Sequence, residues 1–349
     1  MVVDYLSSLL EGNPSENASD DENAHKNRAF LVLNPVSGIL DTGFIRRRFE
    51  HHFARLGWDY AVYETTGKEN LREIIHAELK NRPNFVVAAG GDGTISSVAN
   101  GLVGTDTPLG IIPGGTGNLL ARELQVPLET FFALNLLTGK HRIRKIDAMK
   151  VGDHYYILNL GVGMSSAVIK ETVRKQKKRF GFLAYIWNTL KQLAGIQPIR
   201  FTVTADSQYS QFRAAEVMVS NGALIGMEPL RWDPEAVIDD GQVNMCVIRA
   251  RNVLDFASIA LSALFRRQRW NPHYRCITAR RDITIQTEKP MLVEADGDII
   301  GHTPVHISVI PQSLSVIVPE TTNLLEQTLT SLGVIPPEGI KKFLQKPAK

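Results

Sequence analysis

Residues Gly90-Gly91-Asp92-Gly93-Thr94 follow an apolar run, Asn84-Phe85-Val86-Val87-Ala88-Ala89, that reads as a buried parallel strand. A strand ending in glycines lets backbone N–H groups come close to a polyphosphate, and an aspartate in the same turn can hold Mg2+ or orient a hydroxyl. The chemistry this points to is phosphoryl transfer from a nucleotide. The device recurs one β–α unit later, where Pro108-Leu109-Gly110-Ile111-Ile112 leads into Pro113-Gly114-Gly115-Thr116-Gly117-Asn118 and a helical pattern from Leu119. Thr116 is the functional candidate there, because a hydroxyl beside glycines can donate to a phosphate oxygen. A third turn, Asn34-Pro35-Val36-Ser37-Gly38, closes the strand at residues 30–33. Each segment also has a plainer reading: Asp92 as a helix cap, Gly114 to Asn118 as a turn, Asn34-Pro35 as a strand end.

The elements that must position these loops alternate from residue 28 to about 142. Strands at 30–33, 60–63, 84–89 and 108–112 are separated by helical patterns at 43–56 and 69–79. That alternation predicts a parallel sheet covered by helices, whose carboxyl ends line one crevice. After Ile146-Asp147 the pattern changes to short alternating strands at 155–160, 200–204, 216–220 and 243–249, with helical patterns at 165–193 and 252–269. A second, antiparallel β-rich domain is expected there, and strands at 305–310 and 313–318 with a helix after Thr322 could return to the first domain.

At 349 residues and 44% hydrophobic content the chain can support two domains with real cores. A formal charge of +3 is only mildly basic and implies no nucleic-acid partner. The two cysteines, Cys246 and Cys276, are far apart in sequence and outside any C-x-x-C pair. Neither a disulfide framework nor zinc spacing is expected, and a reducing cytoplasm fits. Residues 1–27 read as a disordered, solvated leader with 2–10 as a short docking helix. No stretch reaches the roughly 18 apolar residues of a membrane span. The paired His51-His52 and the other histidines show no metal spacing.

Taken together, Asn34-Pro35-x-Ser37-Gly38, Gly90-Gly91-Asp92-Gly93-Thr94 and Gly115-Thr116-Gly117-Asn118 resemble the motifs of the soluble two-domain diacylglycerol kinases and related lipid kinases, a group that includes sphingosine and ceramide kinases. Asn221-Gly222, Pro234-x-Ala236-x-x-x-Asp240-Gly241 and Asp296-Gly297-Asp298 look like the group's later motifs, so the resemblance runs from about residue 30 to 319. It implies an α/β nucleotide-binding domain, similar to that of NAD kinases, with a β-sandwich-like second domain and the active site between them. It implies an ATP-dependent, Mg2+-dependent lipid kinase acting on diacylglycerol. Other lipid alcohols, a soluble substrate as in NAD kinases, and a noncatalytic nucleotide- or lipid-sensing module are the alternatives.

The resemblance also assigns residues. Asn34, Ser37, Gly90 to Thr94 and Gly115 to Asn118 would hold ATP. Asp240, with Asp239, would contribute to a structural Mg2+ site. The family motif is usually Asp-Gly-Glu with its carboxylates assigned to catalysis, which makes Asp296 and Asp298 catalytic candidates, beside Asp92 of the glycine turn as a metal contact or hydroxyl-orienting carboxylate. By its residues alone Asp296-Gly297 reads as a hairpin turn. Two departures stand out: Asp298 is one methylene shorter than the usual Glu, and Leu119-Leu120 replaces a common Asp after Asn118. The expected domains are 28–142, 143–310 and a C-terminal segment 311–349 returning to the first.

Basic residues between Lys170 and Arg179 precede Phe180, Phe182, Tyr185 and Trp187, and Phe265-Arg266-Arg267 and Arg269-Trp270 repeat the grouping. A solvated basic helix followed by core aromatics would explain the first stretch. An interfacial patch meeting anionic headgroups explains both, and gives the expectation of a cytoplasmic protein in peripheral contact with an anionic membrane that holds the lipid substrate. A homodimer is allowed for.

Overall fold

A computed structural model describes residues 27–35, 42–67, 69–164, 198–224, 231, 233 and 235–320. The first part alternates strands and helices: β1 (Arg28–Leu33), α1 (Thr42–Arg55), β2 (Asp59–Glu64), α2 (Leu71–Leu79), β3 (Phe85–Gly90), α3 (Asp92–Leu102), β4 (Leu109–Pro113), α4 (Leu119–Glu123) and α5 (Thr130–Thr138). β2, β1, β3 and β4 are neighbours in that order and all parallel. The interior strands β3 and β4 are buried at every residue, as continuous apolar runs covered on both faces require, whereas β2 at the edge is only half-buried. α1 lays Ile45, Phe49 and Phe53, spaced four apart, onto the sheet. Phe53 is fully buried and packs against Trp58 and Phe85, and truncating it to Ala would cost roughly 3–5 kcal/mol.

The second part is antiparallel. It comprises β5 (Arg142–Val151), β6 (His154–Tyr156), β7 (Asn159–Gly163), β8 (Ile199–Ala205), β9 (Gln208–Ala214), β10 (Glu216–Ser220), β11 (Val243–Ile248), α6 (Val253–Leu264), a single 3₁₀ turn at Gln268–Trp270, β12 (Tyr274–Ala279), β13 (Asp282–Thr287), β14 (Leu292–Ala295), β15 (Asp298–His302) and β16 (Val305–Val318). A six-stranded sheet in the order β12-β11-β10-β7-β14-β15 faces part of a ten-stranded one. The core between them takes Val217 and Val219 from β10, Leu160 and Val162 from β7, and Ile283 and Ile285 from β13. The fold class is as expected: a mostly parallel α/β domain joined to an antiparallel β-sandwich-like domain.

The two sheets are not separate by domain. The parallel strands and the antiparallel β16, β13, β8 and β9 lie on one hydrogen-bonded path, with β16 beside β4 at Val316↔Leu109. The first half of β16 puts Val305, Ile307 and Val309 into the second core, and its last residues put Leu314, Val316 and Ile317 into the first.

Three expectations change. The strand expected at 155–160 is two strands, β6 and β7, broken at Ile157-Leu158 because the N–H groups there donate to Asp296 instead of a neighbouring strand. The helix expected at 252–269 stops at Leu264, where Arg266 takes a positive φ of 54°. Cys246 and Cys276, which the spacing left unpaired, stand opposite each other on β11 and β12 and form a disulfide. Thirty residues of separation say nothing about register, and register brings the sulfurs together. The helical patterns expected at 165–193 and after Thr322 lie outside the described residues, as do the 2–10 helix and nearly all of the 1–27 leader.

Candidate active site

β3 and β4 run in parallel with Gly90 opposite Pro113, so both glycine loops leave the sheet together. They pack so closely that side chains are excluded. A Cβ on Gly115 would lie 2.7 Å from Gly91 Cα, and one on Gly117 2.6 Å from Asp92 Oδ2. Gly114 N–H donates to Gly90 O at 2.8 Å. Loop-on-loop contact therefore demands these glycines, and the two motifs are one unit. Gly93 differs: nothing lies within 4 Å of where its Cβ would be. It sits in the first turn of α3, whose N-cap, Gly91, offers no side-chain hydrogen bond. Uncapped N–H groups at the positive end of a helix dipole form an anion site.

The polar residues of the loops hold this shape. Asp92 Oδ1 accepts the Leu119 N–H at 2.5 Å, so a residue of the first loop caps α4, which the second loop opens. Burial pushes the Asp92 carboxyl up, and backbone N–H groups from Leu119 and Asn118 pull against that. Asn118 takes the left-handed backbone, φ 50° and ψ 46°, that Asn tolerates. Its Oδ1 accepts the Gly115 N–H at 2.9 Å while Nδ2 donates to Gly115 O at 2.8 Å. Asn34 Nδ2 donates to Thr94 Oγ1 at 2.9 Å, joining the first strand end to the glycine turn. Thr116 is exposed at the tip of its loop. Asn34, Gly90 to Thr94 and Gly115 to Asn118 thus meet in one place, while Ser37 lies outside the described residues.

From the second domain the β14–β15 hairpin reaches this unit. Asp296 and Gly297 form its two-residue turn, both at positive φ, 48° and 95°, the geometry that Asp-Gly favours. The Asp296 carboxylate is saturated: Oδ2 accepts from Ser96 Oγ at 2.5 Å and Ile157 N–H at 2.9 Å, and Oδ1 from Leu158 and Asn159 N–H, each at 3.0 Å. Ser96 belongs to α3, so Asp296 ties the helix of the glycine loop to the bend between β6 and β7. Burial raises its pKa against the pull of those four donors. Asp298, the first residue of β15, is exposed.

Glu294, two residues before the turn, was not singled out by the sequence. It is only 4% exposed. Its Oε1 accepts the Gly297 N–H at 2.7 Å, the one hydrogen bond of its carboxyl group among the described residues. Burial, with the neighbouring Asp296 and Asp298 charges, pushes its pKa up to about 7. Tyr156 is pushed up to about 12, chiefly by burial and further by the Asp296 and Asp298 charges, and stays neutral. Ser96 was missed as well, since a serine inside a helix carries no signal of a partner 200 residues away. Asn221 is buried and staples the junction, its Nδ2 donating to Asp147 O at 2.8 Å and Ile157 O at 3.0 Å.

Asp239 and Asp240 lie in the turn after Ile238. Arg144 grips Asp239 with Nε and Nη2 at 2.6 and 2.7 Å and holds its carboxyl below the usual range. Asp240 Oδ1 accepts the Gln242 N–H at 3.0 Å within its own turn. The nearby Asp147 accepts backbone N–H groups from Gly241 and Gln312, both at 2.7 Å. Among the described residues no group of three or more His, Cys, Asp or Glu is arranged to hold a metal ion. These carboxylates fasten the turn after Ile238 to β5 and β16.

Two family models match the chain in succession. Residues 28–151 match the diacylglycerol kinase catalytic domain, and residues 159–318 match the YegS C-terminal NAD kinase beta sandwich-like domain. A diacylglycerol kinase of Bacillus subtilis (strain 168) is 26% identical over 303 residues, covering 84% of this chain and 97% of that protein. One from Staphylococcus haemolyticus (strain JCSC1435) is 27% identical over 301 residues, covering 84% of this chain and 88% of that protein. The crystal structure of a diacylglycerol kinase from Bacillus anthracis str. Sterne shares the fold, with a TM-score of 0.68 at 24% identity over 84% of this chain and 98% of that one.

Proposed function

This chain belongs to the diacylglycerol kinase-like lipid kinase family, and we propose that it transfers the γ-phosphate of ATP to the free hydroxyl of diacylglycerol, giving phosphatidic acid. The observation that carries the reading is the interlocked pair of glycine loops, with the open Gly93 at the uncapped start of α3. ATP enters there as its Mg2+ complex, the metal carried by the phosphates. A resident ion on Asp239 and Asp240 is not part of the proposal, because Arg144 already neutralises the first and the second caps its own turn.

In the transfer, the lipid hydroxyl oxygen bonds to the γ-phosphorus, the bond to the β–γ bridging oxygen breaks, ADP leaves, and the hydroxyl proton passes to a base. Asp296 has no lone pair to spare, since four donors occupy its two oxygens. We assign the proton to Glu294, a buried carboxylate with one hydrogen bond among the described residues and a pKa close to neutrality, where a general base works best. Asp296 is the positioning residue that fixes the hairpin against α3.

The test is transfer of radiolabelled phosphate from ATP to diacylglycerol, sphingoid bases and phosphatidylglycerol presented in mixed micelles. Labelled phosphatidic acid is the expected product. Label on another lipid alone would move the substrate, and label on none would remove the kinase reading.

A further inference from the structure

α6 is apolar on two opposite sides. Phe256 and Ile259 pack toward Cys246, Ile248 and Tyr274 on the outer face of the six-stranded sheet, and Ala263, on the same side of the helix, is buried. On the far side Leu254, Ala257, Leu261, Leu264 and Phe265 fall within about 120° of one another at 100° per residue, and all are exposed. Leu254 is 79% exposed, Phe265 65%, and Trp270, just beyond, 88%. The stripe is about 17 Å long at 1.5 Å per residue.

Water-facing stripes of this size mark an interaction surface. The charges at its end choose the partner. Arg266 and Arg267 are exposed directly after Phe265, and the one acidic residue of α6, Asp255, lies off the stripe, where its carboxylate accepts the Arg251 N–H and its own N–H donates to Asn252 Oδ1. Arg269 is engaged by Asp233 and Glu235. Leucines and a phenylalanine in line, a tryptophan at the edge and arginines beside it match the depth profile of a bilayer surface, with acyl chains, then interface, then anionic headgroups.

Resting on the lipid-kinase reading, we propose that the outer face of α6, with Phe265, Arg266, Arg267 and Trp270, docks this protein on an anionic lipid surface. The arm is held for that task. β11 leads out to α6 and β12 leads back, and the Cys246–Cys276 disulfide joins the two strands at the base of the excursion.

The experiment compares the full chain with the variants Leu261→Glu/Phe265→Glu and Arg266→Glu/Arg267→Glu in sedimentation with vesicles of phosphatidylcholine alone or with phosphatidylglycerol added. All these residues are exposed, and unchanged thermal melts check that the variants fold. Wild type is expected to sediment with the anionic vesicles. The apolar variant should lose at least tenfold in binding at every salt concentration. The arginine variant should lose about fivefold per charge at low salt, and less at high salt. Phosphorylation of water-soluble dioctanoylglycerol should be the same for all three proteins, and only transfer to vesicle lipid should fall. Equal sedimentation of wild type and the apolar variant would overturn the proposal. So would a dimer that the apolar variant dissociates with vesicle binding unchanged, which would give the face to a second copy. If wild type binds vesicles and the apolar variant does not, yet neither labels any lipid, soluble or membranous, the kinase reading fails and the docking assignment stands.

Discussion

Gly93 and Glu294 are the residues whose roles separate most cleanly from folding. Gly93 has a negative φ and open space where a Cβ would go, so Gly93→Val should leave the melting temperature within a few degrees while nearly abolishing phosphate transfer and ATP binding. Normal turnover in that variant would take the nucleotide away from α3. Glu294→Gln keeps an oxygen to accept the Gly297 N–H and removes only basicity. It should cut the chemical step by roughly 10²-fold or more with KM for ATP unchanged. Because the base must be ionised, wild-type turnover should rise as pH passes up through about 7, and the rise should vanish in the variant. Stability runs the other way. A carboxyl raised from 4.5 to about 7 binds its proton more tightly when folded, so the native state loses stability as pH climbs between those values, on the order of 3 kcal/mol in all. A flat single-turnover pH profile in wild type would count against Glu294.

At the scale of elements, the β14–β15 hairpin and α3 are coupled through one carboxylate. Asp296→Asn replaces an acceptor oxygen with an N–H₂ group facing N–H donors, stranding buried groups at about 1–3 kcal/mol each. The variant should melt well below wild type, and a native melt with lost activity would return Asp296 to the role of base. The disulfide makes a second prediction at this scale. A cross-link between β11 and β12 restrains the chain that carries α6, so reduction should speed amide exchange across 249–273 while the glycine loops keep their protection. Uniform loosening, or none, would mean the sheet alone holds the arm. The parallel strands and glycine loops were legible in the sequence because their signals are local: apolar runs, then glycines. The break between β6 and β7 was not, because its cause is Asp296, more than a hundred residues away.

For the whole molecule, β16 decides cooperativity. One continuous strand contributes Ile307 to the core between the sheets and Val316 to the core of the parallel domain, so neither part can unfold without exposing surface of the other. Heating should therefore give a single transition, and two separate calorimetric peaks would show that β16 divides at the irregularity between Ile310 and Leu314. What the sequence determined by itself was whatever depends on near neighbours: the alternation of strands and helices, the two glycine turns, the Asp-Gly hairpin and the change to antiparallel strands after residue 146. Tertiary structure alone decided which carboxylates are free. Asp92, Asp239 and Asp296 carry the same group in the sequence, and each is claimed in the fold by a different partner: the start of α4, Arg144, and the bend at Ile157 to Asn159. A carboxylate's chemistry is set by the donors and the burial around it, and those come from parts of the chain that only folding brings near.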